Sequence, residues 1–260
     1  MNETVISWTK KTWNPVFGCS KVSEGCRYCY AETLALRYRH STKPWTAANA
    51  VENVRLQEHK LREPYALKEP TMIFVNSMSD LFHERVPDSY IARVFAVMND
   101  LPQHTFQVLT KRPERAWKWY GPWTENIWMG VSVELQKHVD RIELLRYAPA
   151  KVKFVSFEPL LGPIEGVHLR GIHWAIVGGE SGAHLTPDSP RWLNMAWARA
   201  LRDQCVRAGV AFFFKQDSGT RTELRPYLVE EDGSHTIWQQ MPKHDEAPVQ
   251  NRQYAQAPLL

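Results

Sequence analysis

Residues 127–159 read IWMGVSVELQKHVDRIELLRYAPAKVKFVSFEP and decide the fold class of this 260-residue chain. The stretch begins with an apolar run at 127–133 and ends with another at 152–157, and each run has the length and composition of a buried strand. Between them, residues 134–148 carry apolar side chains at three- and four-residue spacing, which is typical of an amphipathic helix. This order predicts a βαβ unit with two parallel strands.

The same alternation of strand and helix continues along the chain. Further strands are predicted at 72–76, 105–109, 173–179 and 210–215, with one more near TWNPVFG at 12–18. Helices are predicted at 87–101 and 190–209, both beginning at proline, and the second ends at Gly209. We therefore predict an α/β fold built on parallel strands.

Six or seven such strands are too few for a complete eight-stranded barrel, so we predict a partial (β/α)6–7 TIM-type barrel over residues 1–216. Residues 36–70 are polar and irregular, which indicates an insertion after the first helix. Residues 217–260 have weak periodicity and form a predicted C-terminal extension that is partly irregular. We expect a single domain over residues 1–216 followed by this extension.

Polar side chains follow most of the predicted strands. They lie in NSMSD (76–80), TKRPE (110–114), SVE (132–134), FEP (157–159) and GGES (178–181). In parallel α/β folds the carboxyl ends of the strands carry the active site. We therefore expect these five segments to converge on one edge of the sheet.

Three of the four cysteines lie within GCSKVSEGCRYCYAE, residues 18–32. A closed structural zinc site needs four ligands, so this C-x6-C-x2-C loop either borrows a distant ligand or leaves a coordination position open for chemistry. The zinc alternative would be completed by His40 or by Cys205. Cys205 lies in a helical pattern and is more simply interpreted as a small core residue.

The cysteine loop resembles that of the radical SAM enzymes, with a first gap longer than their usual three residues. Together with six further segments it resembles a phage and prokaryotic family of radical-SAM-like three-Cys-motif proteins over roughly residues 4–216. The segments are WNPVFGCSKVSEGCRYCYAE, FVNSMSDLFHERVP, FQVLTKRPERA, GVSVELQ, FVSFEPLLGP, IVGGESG and FFFKQ. The strand ends resemble, more loosely, spore-photoproduct-lyase-like radical SAM proteins. Asp217 departs from the family pattern, which has an aromatic residue at that position.

The resemblance implies cofactors and a set of site residues. Cys19, Cys26 and Cys29 would hold three irons of a [4Fe–4S] cluster, and S-adenosylmethionine at the fourth iron would be cleaved to a 5′-deoxyadenosyl radical. The implied cofactor contacts are Tyr28 for the adenine, Ser77, Ser79 or Asp80 for the ammonium, Lys111 for the carboxylate, Ser132 and Glu134 for the ribose, and Glu158 and Glu180 for cofactor or substrate.

The leading interpretation is a radical SAM enzyme that abstracts hydrogen from a nucleic acid or a nucleotide-derived substrate, for modification or repair. One alternative is the same chemistry on a peptide or small metabolite, and another is a non-enzymatic iron–sulfur or zinc module acting with a partner protein. The net charge of +4 allows a polyanionic partner without requiring one. KRPERAWKWYGPW, residues 111–123, interleaves cations and rings as nucleic-acid-binding surfaces do, although tryptophan at helical spacing is more often core.

Partners implied by the resemblance are a separately encoded three-Cys-motif protein and a reductant such as flavodoxin or ferredoxin. No apolar run approaches the roughly 20 residues that span a bilayer. The first residues, MNETVISWTKK, lack the features of a signal peptide. We therefore expect a cytoplasmic protein with no membrane contact.

Overall fold

The computed structural model describes residues 1–119, 121–182, 184–185, 189 and 191–242. The strands of this part are β1 (Asn2–Glu3), β2 (Lys11–Trp13), β3 (Val16–Phe17), β4 (Arg55–Leu56), β5 (Met72–Val75), β6 (Thr105–Thr110), β7 (Ile127–Ser132), β8 (Lys153–Phe157), β9 (Trp174–Gly178), β10 (Ala211–Gln216), β11 (Leu228–Val229) and β12 (His235–Thr236). The α-helices are α1 (Tyr30–Arg37), α2 (Ala50–Asn53), α3 (Asp88–Asp100), α4 (Pro113–Ala116), α5 (Asp140–Arg146) and α6 (Met195–Ala208). Short 3-10 helices lie at Glu24–Cys26, Glu58–Lys60, Glu63–Ala66 and Gln136–His138.

The main sheet has the spatial order β1–β2–β5–β6–β7–β8–β9–β10. β1 pairs antiparallel with β2, and every other neighbouring pair is parallel. The seven parallel strands, β2 and β5 to β10, form a curled half-barrel. This confirms the predicted α/β fold and the partial (β/α)6–7 barrel.

The two faces of the sheet carry different cores because successive side chains of a strand point to opposite faces. On the outer face, Val75, Val155 and Phe214 belong to the main hydrophobic core, together with helix side chains such as Phe95 and Leu201. The inner face carries a second, mainly aromatic cluster of Trp8, Phe74, Trp128, Val152, Phe154, Trp174, Ile176 and Phe213. Three of the chain's eleven tryptophans therefore serve packing in this cluster.

Two predicted helices differ from the observed ones at their starts. α6 begins at Met195, because the side chain of Asn194 accepts a hydrogen bond from the Ala196 amide (2.9 Å) and caps the helix there. It ends at Gly209, which has a left-handed φ of 67°, as predicted. The chain after β7 remains extended through Leu135, so α5 begins only at Asp140.

The segment predicted as an insertion, 36–70, contains α2, β4 and two 3-10 helices, and β4 pairs with β3 directly before the cysteine loop. Beyond β10, residues 238–240 return and pair antiparallel with β10, and the Phe214 amide donates to the Trp238 carbonyl (2.6 Å). Residues 243–260 of the predicted extension lie outside the described residues. None of the helices in the described ranges has the length and apolar character needed to cross a membrane.

Candidate functional site

The inner face of the half-barrel ends in a ring of charged side chains at the carboxyl edge. Lys111, Glu134, Glu158, Glu180 and Lys215 each stand an even number of residues after an inner-face apolar residue of the same strand. The two-residue period places Lys215 of β10 on the inner face, and the other four follow the ends of β6, β7, β8 and β9 in the same phase. Four of them were predicted site residues, and two ion pairs involve three of these four: Lys111 with Glu134 (3.7 Å), and Glu158 with Lys215 (3.1 Å).

The cysteine loop begins where β3 ends. Gly18 has a φ of 82°, and a Cβ at this position would lie 1.9 Å from the Asn53 carbonyl oxygen, so the loop requires glycine here. The Gly18 amide donates to the Met78 carbonyl (3.0 Å), and Ser79 Oγ donates to the Val16 carbonyl (2.9 Å). The loop is thus fixed to the segment that follows β5.

The three thiols of the cysteine loop influence one another electrostatically. Burial raises the pKa of the Cys19 thiol to about 12, the Arg112 guanidinium opposes this rise, and the charges of Asp80, Cys26 and Cys29 add to it. Burial also raises the pKa of Cys29. Across the described ranges, no three His, Cys, Asp or Glu side chains form a group that could hold one metal ion.

Cys205 lies apart from this loop. It is fully buried on α6 within the main core of the outer face, whereas Cys19 and Cys29 pack against a separate small cluster around Phe17 and Trp45. The structure thus places Cys205 as the core residue that its helical pattern predicts.

Arg112 holds the cysteine loop at the end of β6. Its Nη1 atom donates to Cys19 Sγ (3.5 Å) and to Asp80 Oδ2 (3.3 Å), and its Nη2 atom donates to the carbonyl and to Oγ of Ser20 (3.0 Å each). Its Nε atom donates to Glu84 Oε2 (3.2 Å). Burial lowers the pKa of Arg112, but the charges of Asp80 and Cys19 outweigh this and raise it, so the guanidinium stays charged.

Asp80 joins the ends of β5 and β6. Its Oδ1 atom accepts hydrogen bonds from Thr110 Oγ1 (2.7 Å) and the Phe82 amide (3.0 Å), and its Oδ2 atom accepts from the Lys111 amide (3.1 Å) and from Arg112. The carboxylate therefore has four donors from this chain. Its predicted contact with the ammonium of S-adenosylmethionine stays a prediction.

The two predicted serines after β5 also contact the chain. Ser77 Oγ lies 3.2 Å and 3.3 Å from the amide nitrogen and oxygen of the Asn14 side chain, at the end of β2. The Ser77 carbonyl accepts a hydrogen bond from the Tyr30 hydroxyl (2.7 Å). Ser77 therefore lies where β2, β5 and the start of α1 meet, while Ser79 ties β5 to Val16 as described above.

Glu134 connects β7 to the cysteine loop. Its fully buried carboxylate accepts hydrogen bonds from Ser23 Oγ (2.5 Å) and Arg141 Nη1 (2.8 Å), and Lys111 Nζ lies 3.7 Å from it. Burial raises the pKa of Glu134, but Lys111, Arg141 and Ser23 together lower it below its ordinary value. A Cβ on Gly25 would lie 2.5 Å from Glu134 Cγ, so the loop rests directly on this side chain.

A second charged group lies between β8 and β10. Lys215 Nζ is 3.1 Å from Glu158 Oε1 and 4.0 Å from Glu223 Oε1, and Ser156 Oγ donates to Glu158 Oε2 (3.1 Å). Ser132 is buried opposite Ser156 in the β7–β8 register. Sequence reasoning missed Lys215, although the period of AFFFKQ places it on the same face as Phe213.

Residues 3–258 match the family described as "Protein of unknown function (DUF5131)". The chain belongs to the DUF5131 family. No curated protein matches it.

Two solved structures resemble this DUF5131 chain at 12% sequence identity. One is a cysteine-to-serine mutant of spore photoproduct lyase, with a TM-score of 0.47 over 85% of this chain and 78% of that chain. The other is spore photoproduct lyase complexed with dinucleoside spore photoproduct, with a TM-score of 0.42 over 79% of this chain and 74% of that chain.

Tyr28 of this DUF5131 member packs against the segment after β9. Its ring stacks on His184, with centroids 3.9 Å apart, and the Arg191 guanidinium lies 5.2 Å from the ring centroid. Glu180 accepts a hydrogen bond from Arg191 Nε (2.6 Å), and His184 Nε2 lies 3.1 Å from the same carboxylate. Glu180 therefore positions the two groups that contact Tyr28.

Two sequence features have structural roles in the DUF5131 chain. Within 111–123, Trp119 and Trp123 pack on Phe95 of the main core, at centroid distances of 5.2 and 4.8 Å, so these rings contribute to packing. Asp217 caps the turn after β10 by accepting from the Ser218 amide (2.6 Å), and it pairs with Arg225 (3.1 Å). A carboxylate thus stands where the resemblance predicts an aromatic ring.

Proposed function

We propose that the protein is a radical SAM iron–sulfur enzyme that abstracts hydrogen from a nucleic acid or nucleotide-derived substrate, for modification or repair. One observation supports this most directly. Three thiols that influence one another electrostatically share a single loop at the carboxyl edge of a parallel half-barrel, and the fourth cysteine lies in the outer-face core. The carboxyl edge is where parallel α/β folds place their chemistry.

The residues present fit a [4Fe–4S] cluster held by three thiolates. Each thiolate of such a cluster binds a different iron, so the three thiols need to surround it rather than meet at one ion. Cys19, Cys26 and Cys29 share one loop, and Arg112 places a positive charge beside Cys19 that stabilises its ionised form. When bound, the cluster and S-adenosylmethionine supply a reductively formed carbon radical that abstracts a hydrogen atom.

The charged inner ring is suited to hold the polar groups of S-adenosylmethionine. Lys111 is the cation assigned to its carboxylate, and Glu134 holds the Lys111 ammonium at 3.7 Å. Ser77 and Ser79 stand beside the cysteine loop, where hydroxyl oxygens can accept from the ammonium. Ser132 and Glu134 are assigned to the ribose, and Glu158 with Lys215 to cofactor or substrate.

The test is anaerobic reconstitution followed by incubation with dithionite and S-adenosylmethionine. We expect about four irons and four sulfides per chain, and formation of 5′-deoxyadenosine measured by liquid chromatography. Replacement of Cys19, Cys26 or Cys29 by Ala abolishes both, whereas Cys205→Ala retains both because this side chain lies in the outer-face core.

Two outcomes contradict the proposal. Stoichiometric zinc without sulfide in freshly isolated anaerobic protein would favour the zinc module instead. A loaded cluster that never cleaves S-adenosylmethionine would favour a non-enzymatic iron–sulfur module.

A further inference from the structure

A basic and aromatic surface lies beside the cysteine loop, on the far end of α1. We name Arg37, Tyr38, Arg39, His40 and Arg55 the α1 surface. Their contacts are continuous: the Arg37 guanidinium lies 5.8 Å from the Tyr38 ring centroid, and the Tyr38 and His40 rings are 6.3 Å apart. Arg55 donates to the His40 carbonyl.

The α1 surface also reaches the cysteine loop through one ring. Arg55 lies 4.9 Å from the centroid of the Phe17 ring, and His40 is 6.0 Å from the same ring. Phe17 stands two residues before Cys19. The surface is therefore joined to the predicted cluster site by direct packing.

The segment 19–57, which contains the α1 surface, has more basic than acidic side chains. Residues 19–57 contain three acidic side chains, and each already has a partner: Glu24 with Lys137, Glu32 with Lys21 (2.8 Å), and Glu52 with Lys43 (2.6 Å). The remaining cations of the region are Arg27, Arg37, Arg39 and Arg55, and within the described ranges none of them forms an ion pair with a carboxylate. The region thus presents four arginines without a counter-charge from the described chain.

Arg39 stands in a backbone conformation that favours glycine. Its φ is 57°, directly after the end of α1, where a helix commonly ends in a left-handed glycine. An arginine there strains the backbone without burying its side chain, since Arg39 is exposed. This choice of residue favours a role for the guanidinium itself.

The aromatic side chains of α1 lead from this surface to the carboxyl edge. Tyr30, Leu34 and Tyr38 are spaced four residues apart, so they share one helix face, and all three are exposed. Eight residues of helix span about 12 Å. At the inner end of this stripe, the Tyr30 hydroxyl contacts the carbonyl of Ser77 after β5.

We propose that the α1 surface binds the phosphate backbone of a nucleic-acid strand and that the stripe from Tyr38 to Tyr30 leads the strand to the carboxyl edge. Guanidinium groups bind phosphate bidentately, and exposed tyrosine rings stack on bases. An acidic protein partner would offer carboxylates to the arginines but no bases to the tyrosine rings. The inference rests on the proposed function for its choice of a nucleic acid as substrate. It adds the place on the chain where that substrate is held.

The experiment is fluorescence anisotropy with labelled single-stranded DNA, duplex DNA and RNA, titrated with the reconstituted protein over a range of salt concentrations. The test variant is the double charge reversal Arg37→Glu with Arg55→Glu. The matched control is Arg207→Glu with Arg221→Glu, which changes the net charge equally at two exposed arginines outside the α1 surface.

We expect the test variant to bind at least about tenfold more weakly than the control at low salt, and the slope of log affinity against log salt to fall by about 1.4 for a single strand. Arg39→Gly should also weaken binding while its melting temperature stays equal to or above that of the wild type, because the backbone strain is removed. A variant that binds weakly because it is unfolded would instead show a lower melting temperature.

Equal affinities of the test and control variants, or no binding of the wild type at low salt, would overturn the inference. The inference would also be overturned if the test variant lost affinity for an acidic electron-carrier protein while its nucleic-acid binding stayed unchanged. Formation of 5′-deoxyadenosine, measured on the same preparation, separates this result from the proposed radical chemistry, because no residue of the α1 surface is assigned to the cluster or to S-adenosylmethionine.

Discussion

Arg112 donates to the Cys19 thiol and to the Ser20 carbonyl of the cysteine loop. It therefore holds Cys19 in position and places a positive charge beside its sulfur. The reduction potential of an iron–sulfur cluster depends on its net charge and on hydrogen bonds to its sulfurs. A guanidinium that donates to Cys19 Sγ would stabilise the reduced, more negative form of the proposed cluster. The sequence predicted a cofactor contact for the neighbouring Lys111.

We expect Arg112→Gln to lower the midpoint potential of the reconstituted cluster, because the positive charge beside Cys19 is lost. Arg112→Lys keeps the charge and should give the smaller shift. An anaerobic redox titration followed by electron paramagnetic resonance measures both variants. Potentials identical to that of the wild type in Arg112→Gln would show that the guanidinium has only a structural role.

Lys111 gives a second prediction at the scale of one residue. Lys111→Ala should weaken S-adenosylmethionine binding about ten- to a hundredfold, since a charge-assisted hydrogen bond contributes about 1.5–3 kcal/mol. The cluster should remain, because Glu134 keeps its contacts with Arg141 and Ser23. Calorimetric titration of the reconstituted variant measures the affinity, and Lys118→Ala, an exposed lysine, is the control. Unchanged affinity would move the carboxylate contact to another cation.

At the scale of elements, the cysteine loop and β7 meet at Gly25 and Glu134. The Glu134 side chain is held by Ser23 and Arg141 and is fully buried, so it cannot move away from an added methyl group. We expect Gly25→Ala to displace the loop, to reduce the iron content on reconstitution and to destabilise the fold by about 1–3 kcal/mol.

The control for this prediction is Gly162→Ala. Its added Cβ would meet only the terminal Cδ2 atom of Leu135, at 3.0 Å, and that atom lies at the end of a flexible side chain. Iron analysis and thermal melting of both variants give the comparison. Equal iron content in the two variants would mean that the loop tolerates a shift against β7.

The order of the elements and the inner-facing residues of the site follow from periodicity in the sequence. Apolar runs predicted the parallel strands, and the two-residue period places Lys111, Glu134 and Glu158 on one face. The same two-residue period could have identified Lys215, because this residue lies within the strand β10 and its face follows from the strand's own sequence. The roles of Arg112 and Tyr30 could not be predicted, because their contacts join segments distant in sequence, such as Arg112 and Ser20 at a separation of 92 residues.

At the scale of the whole molecule, the buried His83 links stability to pH. Burial and the charge of Arg112 lower its pKa to about 4, although the charges of Glu84 and Asp80 oppose this shift. Nδ1 accepts a hydrogen bond from the Arg85 amide (3.1 Å), and Nε2 lies 2.9 Å from Ser20 Oγ, so a second ring proton would lose the first of these bonds. An unfolded histidine has a pKa of about 6.5.

Between pH 6.5 and pH 4 the unfolded chain therefore binds more protons at this position than the folded chain, and the free energy of unfolding falls as the pH falls through this range. From pH 6.5 to pH 5 the loss due to His83 should be about 2 kcal/mol. Urea unfolding at several pH values should show a shallower dependence in His83→Gln, whereas His59→Gln, at an exposed position, should match the wild type. Parallel curves for all three proteins would exclude His83 as the group responsible.

The return of residues 238–240 along β10 has a consequence for how the protein behaves among other chains. An open half-barrel ends in a strand whose unpaired amides and carbonyls could recruit a strand from a neighbouring molecule. Here the Phe214 and Gln240 amides already donate to carbonyls of the same chain, at Trp238 and Phe212. The edge of β10 is therefore already paired within the chain, so it is a poor template for aggregation even though the half-barrel is not closed.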